Sequence, residues 1–281
     1  MRPAEENIMI VCGHSTIEPA EEGWKVLIDE RVGDALSFFP GQTLFGVEEK
    51  GSKRLFISSL KLTPRVIYYR IFLEDVRGSL ASMTALFSDR GVNILSGGAF
   101  GFGNIWVSEF IADFQGVDAD PDAIAEEIEG MGGFVNTREI TELFPRAFEL
   151  NETYRIEGTK EEGLYLRLPE LPGGTRGRGA HAILKAWPRI QALFLDFYPE
   201  GEKLVKITAK LNDVPGSLNK LTTLMGSQVD LHAIDELHHE EDAGVWTSYG
   251  KLMVGTLEEL REKAKEMADI FTFNLEPLGW E

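Results

Sequence analysis

The chain has 281 residues, 43% of them hydrophobic, a formal net charge of −18 and one cysteine, Cys12. Such a length is expected to hold about two domains, and the apolar fraction is ample for buried cores. The charge disfavours broad attraction to nucleic acid or anionic lipid, both of which need a basic face. A lone thiol makes neither an internal disulfide nor a thiolate zinc cage, which fits a reducing, cytoplasmic setting. The N-terminal stretch lacks a signal-peptide layout, and no window approaches the ~20 apolar residues of a membrane span.

In chain order, Gly23 to Val32 runs into a short helix, Ala35 to Phe39, then the Pro40-Gly41 turn. Thr43 to Glu48 and Arg54 to Ser58 flank Glu49-Lys50-Gly51-Ser52 as a hairpin. Strand, short helix, Pro-Gly turn and hairpin resemble the AbrB-type swapped-hairpin barrel of transition-state regulators and antitoxins. That resemblance implies DNA contact through basic residues. Locally, however, Lys25, Arg31, Lys50, Lys53 and Arg54 are outnumbered by Glu18, Glu21, Glu22, Asp29, Glu30, Asp34, Glu48 and Glu49. Phosphate binding needs clustered positive charge, so dimer formation is the preferred expectation for residues 1–62 and DNA is disfavoured as a partner.

The next stretch occurs twice. Asp75-Val76-Arg77-Gly78-Ser79-Leu80 returns 138 positions later as Asp213-Val214-Pro215-Gly216-Ser217-Leu218. In the first copy, Ile67, Tyr69, Ile71 and Leu73 alternate as a strand. Leu80, Met83, Leu86 and Phe87 stripe a helix that stops at Gly91. Val92 to Leu95 form a second strand, Gly97 to Gly103 a turn region, and Asn104 to Phe114 a third strand. Asp120-Pro121 starts a helix striped by Ile124, Ile128 and Met131, and Phe134 to Leu143 close the unit. In the second copy, Val205 to Leu211 is a strand and Leu218, Leu221, Leu224 and Met225 stripe a helix. Val229-Asp230-Leu231 and Val245 to Val254 are strands. Thr256-Leu257-Glu258-Glu259 is a capping box, and Ile270 to Leu275 finish the unit. Both copies read β-α-β-β-α-β, so the fold class is α+β: two ferredoxin-like domains plus the small β-rich module.

The pattern Asp-x-(Pro/Arg)-Gly-Ser-Leu, short helix, then Val-(Asn/Asp)-(Ile/Leu) resembles the ACT domain, over about residues 65–145 and 203–280. The second copy is nearer the family form; the first has Arg77 where proline is usual. The resemblance implies small regulatory modules that pair side by side, as a homodimer or within one chain, and hold a small ligand, often an amino acid, at the interface. The residues allow this. Glycine before a helix permits close approach, and the first helical N–H groups welcome a carboxylate. Ser79 and Ser217 add hydroxyls. Asn93 both donates and accepts, whereas its counterpart Asp230 suits an ammonium group and repels a carboxylate. The candidate ligand-binding residues are therefore Asp75, Arg77, Gly78, Ser79 and Asn93, and Asp213, Gly216, Ser217 and Asp230, as two unequal sites.

The expected organisation is a β-rich module (1–62), an ACT-like domain (63–145), a linker with a helix and hairpin (146–202) and a second ACT-like domain (203–281). Within the linker, Ile183-Leu184-Lys185-Ala186-Trp187-Pro188 echoes Ala35-Leu36-Ser37-Phe38-Phe39-Pro40, each followed by a strand, a glycine turn (Gly51, Gly201) and another strand. A duplication that includes the hairpin module would let one chain build a pseudo-dimeric barrel. Leu171 to Gly179 is expected as a solvated loop carrying Arg176 and Arg178. Glycine-rich Gly97 to Gly103 lies between strands, so it is no dinucleotide fingerprint, though it leaves room for a ligand. Adjacent His238-His239 point to opposite faces of a strand, which argues against a metal site. Cys12 and His14 share a strand face but lack an orienting partner, so Cys12 reads as buried. No catalytic motif, metal or cofactor is expected. The function expected is small-molecule sensing, with an amino acid as the ligand, by a regulatory protein. The alternatives are an AbrB-like transcription regulator with ACT sensors and an enzyme without a recognised motif.

Overall fold

The computed structural model describes residues 10–48, 51–61, 65–102, 104–139, 152–159, 161–212, 214–240 and 243–280. The first half runs β1 (Val11–Pro19), β2 (Trp24–Leu27), α1 (Glu30–Ala35), β3 (Thr43–Glu48) and β4 (Arg54–Ser58). It continues as β5 (Val66–Glu74), α2 (Ser79–Ser88), β6 (Asn93–Phe102), β7 (Ile105–Asp113), α3 (Pro121–Gly130) and β8 (Phe134–Glu139). The second half runs β9 (Glu152–Thr159), β10 (Gly163–Leu168), β11 (His181–Trp187) and β12 (Ala192–Tyr198). Then come β13 (Leu204–Asn212), α4 (Ser217–Gly226), β14 (Val229–Glu240), β15 (Ala243–Leu252), α5 (Leu257–Lys265) and β16 (Ile270–Leu278). The fold is α+β, and its sheets are antiparallel.

Residues 152–198 are not a linker. Their four strands join the four at the N-terminus in a closed barrel of order β1-β11-β12-β4-β3-β9-β10-β2. Every strand of one half touches the other half: β1 pairs with β11, β3 with β9, β4 with β12 and β2 with β10. Closure leaves no free edge, and inward residues from both halves fill a single core, Leu44, Leu55, Ile57, Leu166, Leu184 and Leu195 among them.

The helix expected at Ile183–Trp187 is strand β11. Ala182, Leu184 and Ala186 face the barrel core, while Ile183 packs outward against Tyr249 and Leu278. A strand buried on both faces reads as a continuous apolar run, which periodicity alone does not separate from a buried helix. The pseudo-dimeric barrel is present, but through other elements than the echo pairs. β3 starts at Thr43 and β11 at His181, 138 positions apart. The same offset separates Leu27 from Tyr165 and Phe56 from Phe194, two pairs that stand directly opposite each other. Each is a rung on an approximate two-fold axis, and at one of them the rings of Phe56 and Phe194 meet edge to face, 4.8 Å between centroids. The loop before β11 is packed as well. Leu171, Pro172, Thr175 and Ala180 are buried, and a Cβ on Gly177 would lie 2.4 Å from the Trp24 ring. Arg176 and Arg178 are exposed.

The β-α-β-β-α-β order is present in both remaining units, with sheets β6-β7-β5-β8 and β14-β15-β13-β16. Helices cover one face of each sheet, over Tyr69, Phe87, Phe110 and Ile128 in the first and Ile207, Leu221, Trp246 and Leu260 in the second. Local signals act as expected: Asp120 caps α3, and Thr256 and Glu259 form a reciprocal capping box. Three expected stripe residues, Leu80, Met131 and Leu218, are exposed. The glycine run Gly97–Gly101 is not a turn but part of β6. A Cβ on Gly97 would sit 2.4 Å from Phe110 Cβ, so only glycine lets the two strands pack there.

The two units do not pair with each other. No core cluster and no backbone hydrogen bond among the described residues spans the two sheets. Each docks on the barrel instead, and differently. Val66 and Ile111 of the first pack on Phe56, Ile190 and Ala192; Leu204, Tyr249 and Leu278 of the second pack on Cys12 and Ile183. We expect Gly97→Ala to lower stability by about 1–3 kcal/mol through overpacking. Gly98→Ala, whose new methyl meets nothing within 4 Å, should leave stability within about 0.5 kcal/mol. Thermal denaturation of the two variants measures the difference.

Candidate functional site

The two hexapeptides fold alike. Val76 N–H donates to Glu74 O (2.9 Å) and Ser79 N–H to Val76 O (3.1 Å). Val214 N–H donates to Asn212 O (2.9 Å) and Ser217 N–H to Val214 O (3.2 Å). Gly78 and Gly216 adopt φ of +98° and +97°, the left-handed region that glycine tolerates, and each is the N-cap of a ten-residue helix. A glycine cap supplies no side-chain acceptor, so the N–H groups of Leu80 and Ala81, and of Leu218 and Asn219, lack an intrahelical partner. Four apolar residues, Val76, Leu80, Val214 and Leu218, stand exposed at matching places beside the caps.

The copies then diverge. Ser79 Oγ donates to Glu74 O at 2.8 Å. Ser217 is only 3% exposed, yet its hydroxyl has no partner among the described residues. Asp75 is exposed and lies over β6, where a Cβ on Gly101 would meet its Oδ2 at 2.9 Å. Arg77 is exposed. Asp213 lies outside the described residues.

Asn93 and Asp230 are not near these turns within their own units. Asn93 stands opposite Asp113, and Asp113 opposite Val66 at the start of β5. The turn follows Glu74 at the other end of β5, about 25 Å away at the usual rise per residue. Asp230, opposite Lys251 and thus level with Leu204, is equally remote from Gly216. One small ligand reaches both groups only across an interface with another unit.

A feature missed at the sequence level lies on the third strand of each unit. Trp106-Val107-Ser108 in the first has a like-patterned Trp246-Thr247-Ser248 in the second, two residues further along the strand: Trp106 stands opposite Leu73, but Trp246 opposite Ala209. All four polar atoms, two indole Nε1 and two hydroxyl Oγ, are buried without a hydrogen-bond partner. Alternation puts the tryptophan and serine of each motif on one face, and Trp246 belongs to the helix-side core. The repeated Trp-x-Ser was the available signal. A buried donor left unpaired costs about 1–3 kcal/mol, so these groups call for an explanation.

Burial, aided by the charge of Asp235, pushes the Cys12 thiol up to about 12, which makes it a poor nucleophile. Instead, Cys12 N–H donates to Asp235 Oδ1 at 2.5 Å, and Arg31 Nη1 donates to Asp235 Oδ2 at 3.0 Å. These bonds tie β14 to the barrel. His14 Nε2 and His181 Nδ1 lie 3.1 Å apart with stacked rings. Burial, with the neighbouring His181, lowers His14 to about 4, and burial lowers His181. No group of three or more His, Cys, Asp or Glu among the described residues could hold a metal; the side chains of His238 and His239 lie outside them. No described helix is long and apolar enough to cross a membrane.

No known protein family matches the chain, and no curated protein matches it. Solved structures give distant likenesses. An unknown protein from Galdieria sulphuraria is 9% identical with a TM-score of 0.33, over 76% of this chain and 98% of that one. A proposed glycine cleavage system transcriptional repressor is 10% identical with a TM-score of 0.28, over 76% and 96%. The acetolactate synthase small subunit from Thermotoga maritima is 10% identical with a TM-score of 0.18, over 77% and 99%. All three scores lie well below 0.5, so these likenesses assign no function to the chain.

The histidine pair yields a pH dependence. The folded pair resists protonation while unfolded histidine takes protons near its ordinary value of 6.5. The unfolded state therefore binds more protons between about 6.5 and 4, and stability is expected to fall as pH drops through that window. Melting temperature against pH should show this slope, and His14→Gln should flatten it. Asp235→Ala should cost about 1–3 kcal/mol by stranding the buried Cys12 N–H, measurable by denaturant unfolding.

Proposed function

We propose that the protein is a small-molecule sensor, with an amino acid as ligand, built from two ACT-like domains of ferredoxin-like fold on an AbrB-like swapped-hairpin barrel. The observation that carries this reading is Ser217, a buried hydroxyl without a partner at the mouth of an uncapped helix. A carboxylate there would accept from the helix N–H groups and from Ser217 Oγ, and it would satisfy groups that otherwise cost stability. The exposed Val214 and Leu218 would flank the ligand or a second unit. Asp75, Gly78, Ser79 and Asn93, and Gly216, Ser217 and Asp230, remain the proposed contacts. Asn93 or Asp230 would join a turn only from a neighbouring molecule, so the pairing we propose is between chains. Signalling would follow from differential affinity: the ligand favours one arrangement of docked units, and a partner reads it.

A DNA-binding role is the weaker reading. One large cleft of the barrel, about 870 Å³, is lined by Glu22, Glu48, Glu152, Glu157 and Glu170 against Arg155 and Arg167, and Arg167 is held by Glu157, so negative charge prevails. Such a surface repels phosphate.

The test is a thermal-shift screen of the twenty amino acids with the wild type and two serine variants. A ligand at 100 times its Kd raises stability by about 2.7 kcal/mol. Ser217→Ala removes an unpaired buried hydroxyl, so the free protein should melt no lower than wild type while its ligand-induced shift shrinks. Ser79→Ala loses a hydrogen bond and should melt slightly lower. No shift with any amino acid at high concentration would sink the sensing role.

A further inference from the structure

A cavity of about 400 Å³ opens where the first four-stranded sheet meets the tip of the β11–β12 hairpin. Its charged lining is Glu109 and Arg189, and Arg70 stands behind Glu109 on the same rung of the sheet. Gly98 stands opposite Glu109, and Glu109 opposite Arg70, so all three project from the same face. Arg70 Nε donates to Glu109 Oε1 at 2.6 Å. From the other half of the chain, Arg189 Nη1 donates to the same oxygen at 2.9 Å. Phe100, Val107 and the ring of Tyr68 supply the apolar wall, with Phe100 half exposed and the Tyr68 hydroxyl bonded to the Glu109–Arg70 pair. The hairpin tip is held in place: Gln191, at φ +51°, accepts from Ser58 Oγ at 2.9 Å and Ser59 N–H at 3.2 Å.

We propose that this cleft is a binding site for a small carboxylate with an apolar side chain, distinct from the two turns. Two guanidinium groups face one carboxylate, which leaves one positive charge in a chain of net charge −18. Arg189 lines the cleft and spends one of its five donors on Glu109, so it has N–H groups to offer a ligand carboxylate, while Arg70 adds its charge from behind Glu109. Glu109 lines the cleft with its carboxylate, which also holds Tyr68 and offers an acceptor face to an α-ammonium. The volume falls in the range of small-ligand pockets, and the apolar wall adjoins the charged rung.

The glycine run acquires a purpose. Gly97 is needed for strand packing, but Gly98 is not: a Cβ there would meet nothing within 4 Å, and it would point from the Glu109 face into the cleft. The site also occurs once. At the 138-residue offset, Tyr68, Arg70, Glu109 and Arg189 become Lys206, Thr208, Thr247 and Gly51. Because Arg70 and Glu109 come from the first half and Arg189 from the second, a bound ligand would clamp one sheet to the barrel.

The experiment is calorimetric titration of the full chain with leucine, phenylalanine, their 2-oxo acids and leucinamide. The proposal expects the acids to bind and the amide to fail. Gly98→Leu, which fills the cleft without a backbone clash, should abolish binding at an unchanged melting temperature. Arg189→Gln should weaken it at least tenfold, and Ser217→Ala should leave it intact. Amino acids binding tenfold better than oxo acids would assign Glu109 to the ammonium; equal affinities would assign recognition to the carboxylate alone. Absence of binding by any of the acids, or binding indifferent to Gly98→Leu, overturns the proposal. Binding lost in Ser217→Ala but kept in Gly98→Leu overturns it while the turn site stands.

Discussion

Strand interleaving governs this molecule. Neither set of four barrel strands is a sheet by itself: β1 finds a neighbour in β11, β3 in β9, and β12 closes on β4 only when both halves are present. A strand without its partner leaves a row of backbone donors and acceptors open, and a half-core leaves Leu55, Leu184 and their neighbours in water. The closed barrel thus forces residues more than a hundred positions apart together, and it sets where each four-stranded unit is carried. Such long-range closure is a slow event in folding, because loop entropy is lost before the contacts form.

On that frame the second level of structure is asymmetric. The first unit lies on Phe56, Ile190 and Ala192, near the rung where the axis passes, and is fastened by Arg189 to Glu109. The second lies on Cys12 and Ile183 and is fastened by Asp235 to the Cys12 amide and Arg31. Both fastenings are polar and specific, and both sit beside apolar contact. The two units therefore stand to respond to different perturbations: one to occupation of an ionic cleft, the other to the histidine pair, since His181 lies against the Gly279 backbone just after β16.

Much of this was legible in the chain. The repeated hexapeptide gives the two units, and strand and helix periods give their element order, because each sheet has one face toward its helices. The barrel was legible only in part. Strand β11 is buried on both sides and so lost the alternation that marks a strand, while Gly97–Gly101 looked like a turn because glycine serves close strand packing as well as chain reversal. Asn93 looked like a neighbour of Gly78 because the two follow each other along the motif, but helix α2 runs between them and carries them to opposite ends of the sheet. The Arg189–Glu109 contact joins residues 80 positions apart and had no signature in either segment.

The rung at which Phe56 faces Phe194 has a consequence for how the chain can change. In a barrel of two identical chains, any substitution would occur on both sides of that axis and would have to suit both places at once. Here the two sides are separate stretches of one polypeptide. Arg189 stands where its counterpart is Gly51, and Tyr68 where its counterpart is Lys206. Covalent linkage therefore frees each half from the other's requirements while strand pairing still holds them together, so one scaffold can carry two unlike binding surfaces in a fixed one-to-one ratio.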